Sequence, residues 1–235
     1  MSSTYRIADV NIRLSSGDYS FKIYASDYSF DGASPDIELY VSRDDVDYER
    51  SQPGGDSCTD SYLEALAVFR KISERMPKYD TFLFHGSAVS VDGLGYIFAA
   101  PSGTGKSTHS AMWRNMLGER AVMINDDKPM IRSELGHAEI YGTPFNGKHS
   151  LGSNIHAPLR AVCILKRGET NRIERITPDD AYPLLLRQTY RPHNKSMLAK
   201  TLQLLDRLKH SVRFYELHCN MNPEAAKVSW EAMRP

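Results

Sequence analysis

Cysteine is scarce. Cys58, Cys163 and Cys219 are the only three in 235 residues, and no two are close in sequence. An odd, widely spaced set supplies neither a disulfide framework nor a zinc-ligand spacing, and reads as reduced thiols in a cytoplasm. Long apolar runs are also missing. None approaches the roughly 20 residues that cross a bilayer, and the opening MSSTYRIADV lacks the basic-then-apolar layout of a secretory signal. Net charge is absent, with 29 Lys+Arg against 29 Asp+Glu. No internal repeat and no low-complexity tract breaks the chain. Membrane-spanning, disulfide-stapled and repeat classes are excluded on these grounds, and neither nucleic acid nor membrane is expected as a partner. What remains is an ordinary globular composition, long enough for one large domain or one domain with a small appendage.

The zero net charge hides an asymmetry. Residues 1–100 carry 9 Lys+Arg and 16 Asp+Glu, whereas the rest carries 20 and 13. Opposite surfaces packing on each other would account for this. So would a second part that handles anions.

The first forty residues alternate apolar and polar in YRIADVNIRL, YSFKIYAS and DIELYVS, which predicts three short antiparallel strands. RDDVDYERSQPGGDS reads as an exposed loop, and TDSYLEALAVFRKISERM has the spacing of an amphipathic helix. From Tyr79 onward TFLFH, SAVSV and GYIFAA predict strands, the last two joined at Asp92-Gly93 as a hairpin. A helix after Gly105, strands at AVMIN, PMIRS, HAEIYG, AVCILKR and VRFYELHC, and helices at PDDAYPLLLRQ, KSMLAKTLQLLDRLK and PEAAKVSWEAM complete the reading. The segment between Arg167 and Pro178 carries no assignment. YGTPFNGKHSLGSN, with Lys148 and His149, reads equally as an ordinary surface loop and as a mobile lid or acceptor-binding loop. The fold class is α/β: residues 1–57 a small antiparallel strand region, residues 58–235 a core on a mixed sheet.

Ala100-Pro101-Ser102-Gly103-Thr104-Gly105-Lys106-Ser107 has the spacing of a Walker A turn, with Ala at the usual first Gly. Gly103 and Gly105 allow the backbone to bend several N–H groups toward one anion. A helix starting at Lys106 adds its positive end. Lys106 reaches the β and γ phosphates, the Ser107 hydroxyl can ligate Mg²⁺, and Thr108 can support the α phosphate. The motif grips a nucleotide but does not choose among ATPase, GTPase and kinase. AVMINDDKP puts Asp126 and Asp127 directly after a strand, where a second Mg²⁺ carboxylate belongs. Two acids suit two tasks, one holding metal and one accepting a proton. His85 is one hairpin away from the turn, within reach of a γ phosphate or its metal.

FHGSAVSVDGLGYIFAAPSGTGKSTHS with INDDKP resembles the HPr kinase/phosphorylase superfamily, whose core phosphoenolpyruvate carboxykinases share. The likeness is specific from about Thr81 to Asp127 and does not extend over residues 1–60. It implies a P-loop kinase core that uses ATP and Mg²⁺. Lys106 and Ser107 would hold phosphate and metal, Asp127 would act as base toward an acceptor hydroxyl, Asp126 would be its metal- or water-binding neighbour, and His85 would stand in the site. AEIYG and YRPHN resemble two further family segments, which nominates Glu139 as a metal ligand and Arg191 as a phosphoryl-transfer arginine; Tyr141 stands where the family has arginine. HPr kinases are longer, with a separate N-terminal domain and a hexameric assembly, so a homo-oligomer stays open. Carboxykinases are far longer, and their oxaloacetate-binding arginines have no equivalent here. The resemblance implies a short, kinase-like branch acting on a hydroxyl of a small molecule, peptide or protein. A carboxykinase-type lyase and a non-catalytic nucleotide-binding module are the alternatives.

Overall fold

The computed structural model describes residues 3–15, 18–32 and 34–235, and it contains one large mixed sheet and one small separate sheet. In the small sheet β1 (Ser3–Ile7) and β2 (Val10–Leu14) form an antiparallel hairpin, and β3 (Ile37–Leu39) joins β2 in parallel rather than antiparallel. The expected middle strand is instead a helix, α1 (Asp18–Ala25). Phe21 and Ala25, four residues apart, are fully buried while Ile23 and Tyr24 between them are exposed. Burial therefore follows the helical period, and the two-residue alternation of the sequence is incidental.

The charged stretch expected as a loop is largely helical too. In α2 (Arg43–Arg50) the Ser42 side chain accepts from the Asp45 amide and the Asp45 carboxylate accepts from the Ser42 amide, a reciprocal cap. Charge is compatible with the helix because α3 (Asp60–Arg75) supplies the counterions. Arg70 meets Asp45 at 3.0 Å and Glu49 at 2.5 Å, and Lys71 also pairs with Asp45. The apolar face of α3, with Leu63, Ala67, Val68, Phe69 and Ile72, shares one core with β1–β3 and α1.

The large sheet runs β4 (Thr81–Leu83), β8 (Met130–Glu134), β9 (His137–Tyr141), β10 (His156–Arg167), β6 (Leu94–Ala99), β5 (Ser87–Val91), β7 (Ala121–Asn125). β10 is longer than expected, because its first residues pair with β9 and its later ones with β6 and β12 (Arg213–Cys219). β11 (Arg172–Ile176), which sequence analysis left unassigned, pairs with β12; it carries charge on both sides, Arg172 and Glu174 on one and Arg175 on the other, and lacks a buried face. One face of the sheet is covered by α4 (Lys106–Leu117) and α7 (Glu224–Met233), through Trp113, Ala226 and Met233. The other is covered by α5 (Pro178–Gln188) and α6 (Lys195–Ser211), through Leu185, Leu204, Leu205 and Leu208. The small sheet is fastened to the large one by Arg132, which donates to the Ala8 carbonyl and lies 3.0 Å from the Tyr141 hydroxyl, itself 3.0 Å from Asp9.

β5 is antiparallel to both β6 and β7, and β6 is parallel to β10. The carboxyl ends of β6, β7 and β10 therefore point the same way, which is where ligands collect in α/β sheets. No helix among the described residues is long and apolar enough to cross a membrane.

Asp45 generates a prediction. Burial would raise its carboxyl, but Lys71, the Ser42 amide and Arg70 together hold it well below the usual carboxylate range. A depressed pKa adds stability that is fully present above the unfolded value of about 3.9 and is lost progressively as pH falls from there through the lower folded value. Asp45→Ala removes a cap and two cation partners and is expected to cost about 1–3 kcal/mol at pH 7. In urea denaturation the gap to the parent chain should narrow progressively from about pH 5 to about pH 2; a gap that stays constant over that range contradicts this account.

Candidate functional site

Beyond β6 the chain turns through Gly103 at φ +76° and Gly105 at φ +115°. An added Cβ would meet nothing within 4 Å at either position, so the requirement is backbone conformation and not space. Gly105 precedes α4 without a side-chain cap, so the first amides of the helix face outward unsatisfied by any cap. Lys106 is 8% exposed and its ammonium donates to the Ala100 carbonyl at 2.9 Å. Burial pulls its pKa down, and Asp127 opposes that shift.

This turn forms one wall of a cleft of about 600 Å³. Ser102, Gly103, Gly105, Lys106, Ser107 and Thr108 line it from one side. His85, Asp126, Asp127, Gly147, Lys148 and His149 line it from the other. Thr104 faces an adjoining cavity of about 540 Å³ on the far side of the turn, shared with Met112, Arg167, Cys219 and Met221. Arg167, at the end of β10, donates to the Gly103 carbonyl at 2.7 Å and so braces the turn.

The two acids sit in different surroundings. Asp126 is 4% exposed and accepts from the Gly147 amide at 2.6 Å; no cation among the described residues pairs with it. A Cβ at Gly147 would stand 3.2 Å from the Asp126 Oδ2, so this glycine allows the close approach. Asp127 lies 3.3 Å from His85 Nε2 and 2.7 Å from Lys128 Nζ. Burial would raise the Asp127 carboxyl, yet the hydrogen bonds from His85 and Lys128 hold it well below the usual range, and it is an anion at neutral pH. Its backbone carbonyl accepts from Gly86 at 3.0 Å, which ties the end of β7 to the residue after His85. A hydroxyl at Ser107 and a buried carboxylate without a cation at Asp126 are hard oxygen donors on facing walls, a set that fits Mg²⁺.

Two nominated residues are elsewhere. Glu139 is in β9, where its carboxylate lies 2.5 Å from the Tyr141 hydroxyl and within ion-pair range of His137 and His156. It belongs to the fastening between the sheets and does not line the cleft. Arg191 is exposed and lines neither cavity at the turn. Because Phe84 bridges Thr189, the residues beside His85 and Lys128 are Arg187 and Gln188, around a smaller cavity of about 260 Å³. Lys128, Arg167 and the Gly147 amide were not singled out by sequence analysis. Lys128 adjoins the acid pair and could have been found there; the other two are brought in only by tertiary packing.

The loop at 142–155 is not a free lid. Asn125, fully buried, places its Nδ2 3.1 Å from the Thr143 carbonyl, 3.3 Å from the Phe145 carbonyl and 3.3 Å from Asn146 Oδ1. Phe145 stacks on Phe69 of α3.

No family model and no curated protein matches the chain. Among solved structures, an HPr(Ser) kinase/phosphatase from Coxiella burnetii is similar at 16% identity and a TM-score of 0.30, over 54% of this chain and 97% of that one. At that identity and TM-score the likeness does not fix a function.

Proposed function

We propose that the chain is an ATP-dependent, Mg²⁺-requiring phosphotransferase with an HPr kinase-like P-loop core, moving the γ phosphate to a hydroxyl. The observation that carries this reading is the pairing, across one cleft, of an uncapped helix start bearing Lys106 with two acids in unlike surroundings. A module that only bound nucleotide would have little use for the second acid.

In this reading residues 102–108 hold the triphosphate, and the adjoining cavity at Met112 and Met221 takes the base and ribose. Mg²⁺, between Ser107 and Asp126, would neutralise charge on the β and γ phosphates. Asp127 orients the acceptor hydroxyl and takes its proton as the oxygen forms a bond to the γ phosphorus; the bond from that phosphorus to the β–γ bridging oxygen breaks and ADP leaves. Lys106, with the amides of the turn, stabilises the charge that develops. His85 and Lys128 keep Asp127 ionised and aimed. Residues 1–57 are read as a region appended to a core of 58–235, joined through α3. The three free cysteines favour a cytoplasmic setting.

Four variants test the reading. Lys106→Ala is expected to abolish transfer and to weaken ATP binding measured by calorimetry; unchanged turnover would remove the phosphate assignment. Asp127→Asn keeps shape but loses the proton acceptor, and transfer should fall by roughly 10²–10⁴ with ATP affinity little changed. Asp126→Asn should raise the Mg²⁺ requirement and weaken Mg-ATP binding; the opposite pattern in the two variants means the roles are exchanged. Lys128→Gln removes one of the two groups that hold Asp127 down, so its pKa rises and the carboxylate is protonated at higher pH. The acid limb of the kcat/KM profile is then expected to move up in pH. A limb that stays put, or moves down, contradicts the electrostatics described above.

A further inference from the structure

Asp127 is reached from two sides. Besides the phosphate cleft it lines a second cavity of about 610 Å³, whose other walls come from α1, α3 and the loop at 142–155. The two cavities share only Asp127, Gly147 and Lys148. The second has no glycine-rich turn and no helix start. Its walls are mixed, with an apolar and aromatic part made by Tyr24 and Tyr62, edge-on at 6.4 Å, together with Leu66, Phe69 and Phe145. Ile23 and Tyr24 are the residues of α1 turned away from that helix's own core face, and they remain 65% and 43% exposed. Polar groups are interspersed with these: Asp127, Lys128 and Lys148, Ser26 and Asp27, and Asn146 and Ser150 of the loop.

We propose that this cavity is the acceptor site, and that it takes a compound of roughly drug size whose hydroxyl is attached to an apolar or aromatic body. The proposal rests on the phosphotransferase reading for the role of Asp127, and adds to it the chemical class of the acceptor. The placement follows from reach. A hydroxyl hydrogen-bonded to Asp127 from this side faces the phosphate cleft across that one carboxylate, while the rest of the molecule lies against Tyr24, Tyr62 and Leu66. The volume is that of a small-molecule pocket and cannot enclose a folded protein substrate. The residues that select the acceptor therefore belong to α1 and α3, whereas those that hold the nucleotide follow β6.

The test uses a series with one primary hydroxyl and a growing apolar body: alaninol, leucinol and phenylalaninol. With labelled ATP, kcat/KM is expected to rise about tenfold or more from alaninol to phenylalaninol. Tyr62→Ala should raise the KM for phenylalaninol about tenfold and leave that for alaninol nearly unmoved. Equal use of the three, or no effect of Tyr62→Ala on the phenylalaninol KM, overturns the pocket while transfer itself stands. Binding is read independently of chemistry by ¹⁹F NMR of protein containing 3-fluorotyrosine, with Tyr24→Phe and Tyr62→Phe assigning the signals. Phenylalaninol at millimolar concentration should shift the signals of Tyr24 and Tyr62, and alaninol should not. If no member of the series accepts phosphate, these shifts still support the pocket, and their absence overturns it. Loss of ATP binding in Lys106→Ala reports separately on the reading beneath.

Discussion

One buried side chain holds the site in shape. Asn125, the last residue of β7, is fully buried, and its Oδ1 accepts from the amides of Asp127 at 2.9 Å and Lys128 at 2.6 Å. That bends the chain directly out of the strand, so that consecutive residues Asp126 and Asp127 can both line one cleft. In a continuing strand they would face opposite ways. The other end of the same amide faces the backbone of the loop at 142–155. The loop in turn brings the Gly147 amide onto Asp126. A buried amide with both ends satisfied is costly to disturb, because any displacement leaves polar groups without partners. The cleft walls are thus set by strand ends and not by free loop motion.

The three parts of the cleft converge because β6, β7 and β10 run in the same direction. The turn after β6 supplies phosphate contacts, the bend after β7 supplies carboxylates, and Arg167 at the end of β10 braces the turn through the Gly103 carbonyl. His85 arrives differently. It leaves β4, and its backbone amide donates to the Gln188 carbonyl at 2.7 Å, which anchors it between α5 and Asp127. The unequal surroundings of the acids follow. Asp127 is next to His85 and Lys128, and Asp126 points to a backbone amide.

Much of this was legible in the sequence, and for local reasons. Gly103, Gly105 and Lys106 form a pattern whose meaning lies in backbone angles, and the angles are as required. The acid pair and His85 sit at the ends of strongly apolar strands, so their shared edge could be anticipated. Glu139 and Arg191 were nominated from short matching segments, and neither lines the cleft. Glu139 is in an edge-to-edge fastening that depends on Asp9 and Tyr141, 130 positions and two positions away in the chain. Such a contact has no local signal. The charged helix α2 was hidden for a related reason. Its acids look like loop until Arg70 and Lys71 of α3 are placed beside them. The helix α1 was hidden by accident of composition, since an eight-residue segment can satisfy both periods.

The N-terminal region shows how one element can serve stability and recognition without conflict. In α1 the residues at the core are Phe21 and Ala25, and those at the second cavity are Ile23 and Tyr24. In α3 Leu63, Ala67 and Ile72 are buried in the core, while Tyr62 and Leu66 face the cavity. The two sets interleave in sequence but occupy different sides of each helix. Substitution at Ile23, Tyr24 or Tyr62 removes no residue of the core, so this surface can change its preference for a bound group while the sheet, the bend at Asn125 and the phosphate turn stay as they are. Leu66, Phe69 and Phe145 are exceptions. They belong to the core and to the cavity wall at once, and Phe69 and Phe145 connect α3 to the loop that carries Gly147. Through the aromatic contacts of Phe145 with Phe69 and with Phe21, the position of the N-terminal helices is coupled to the position of Asp126.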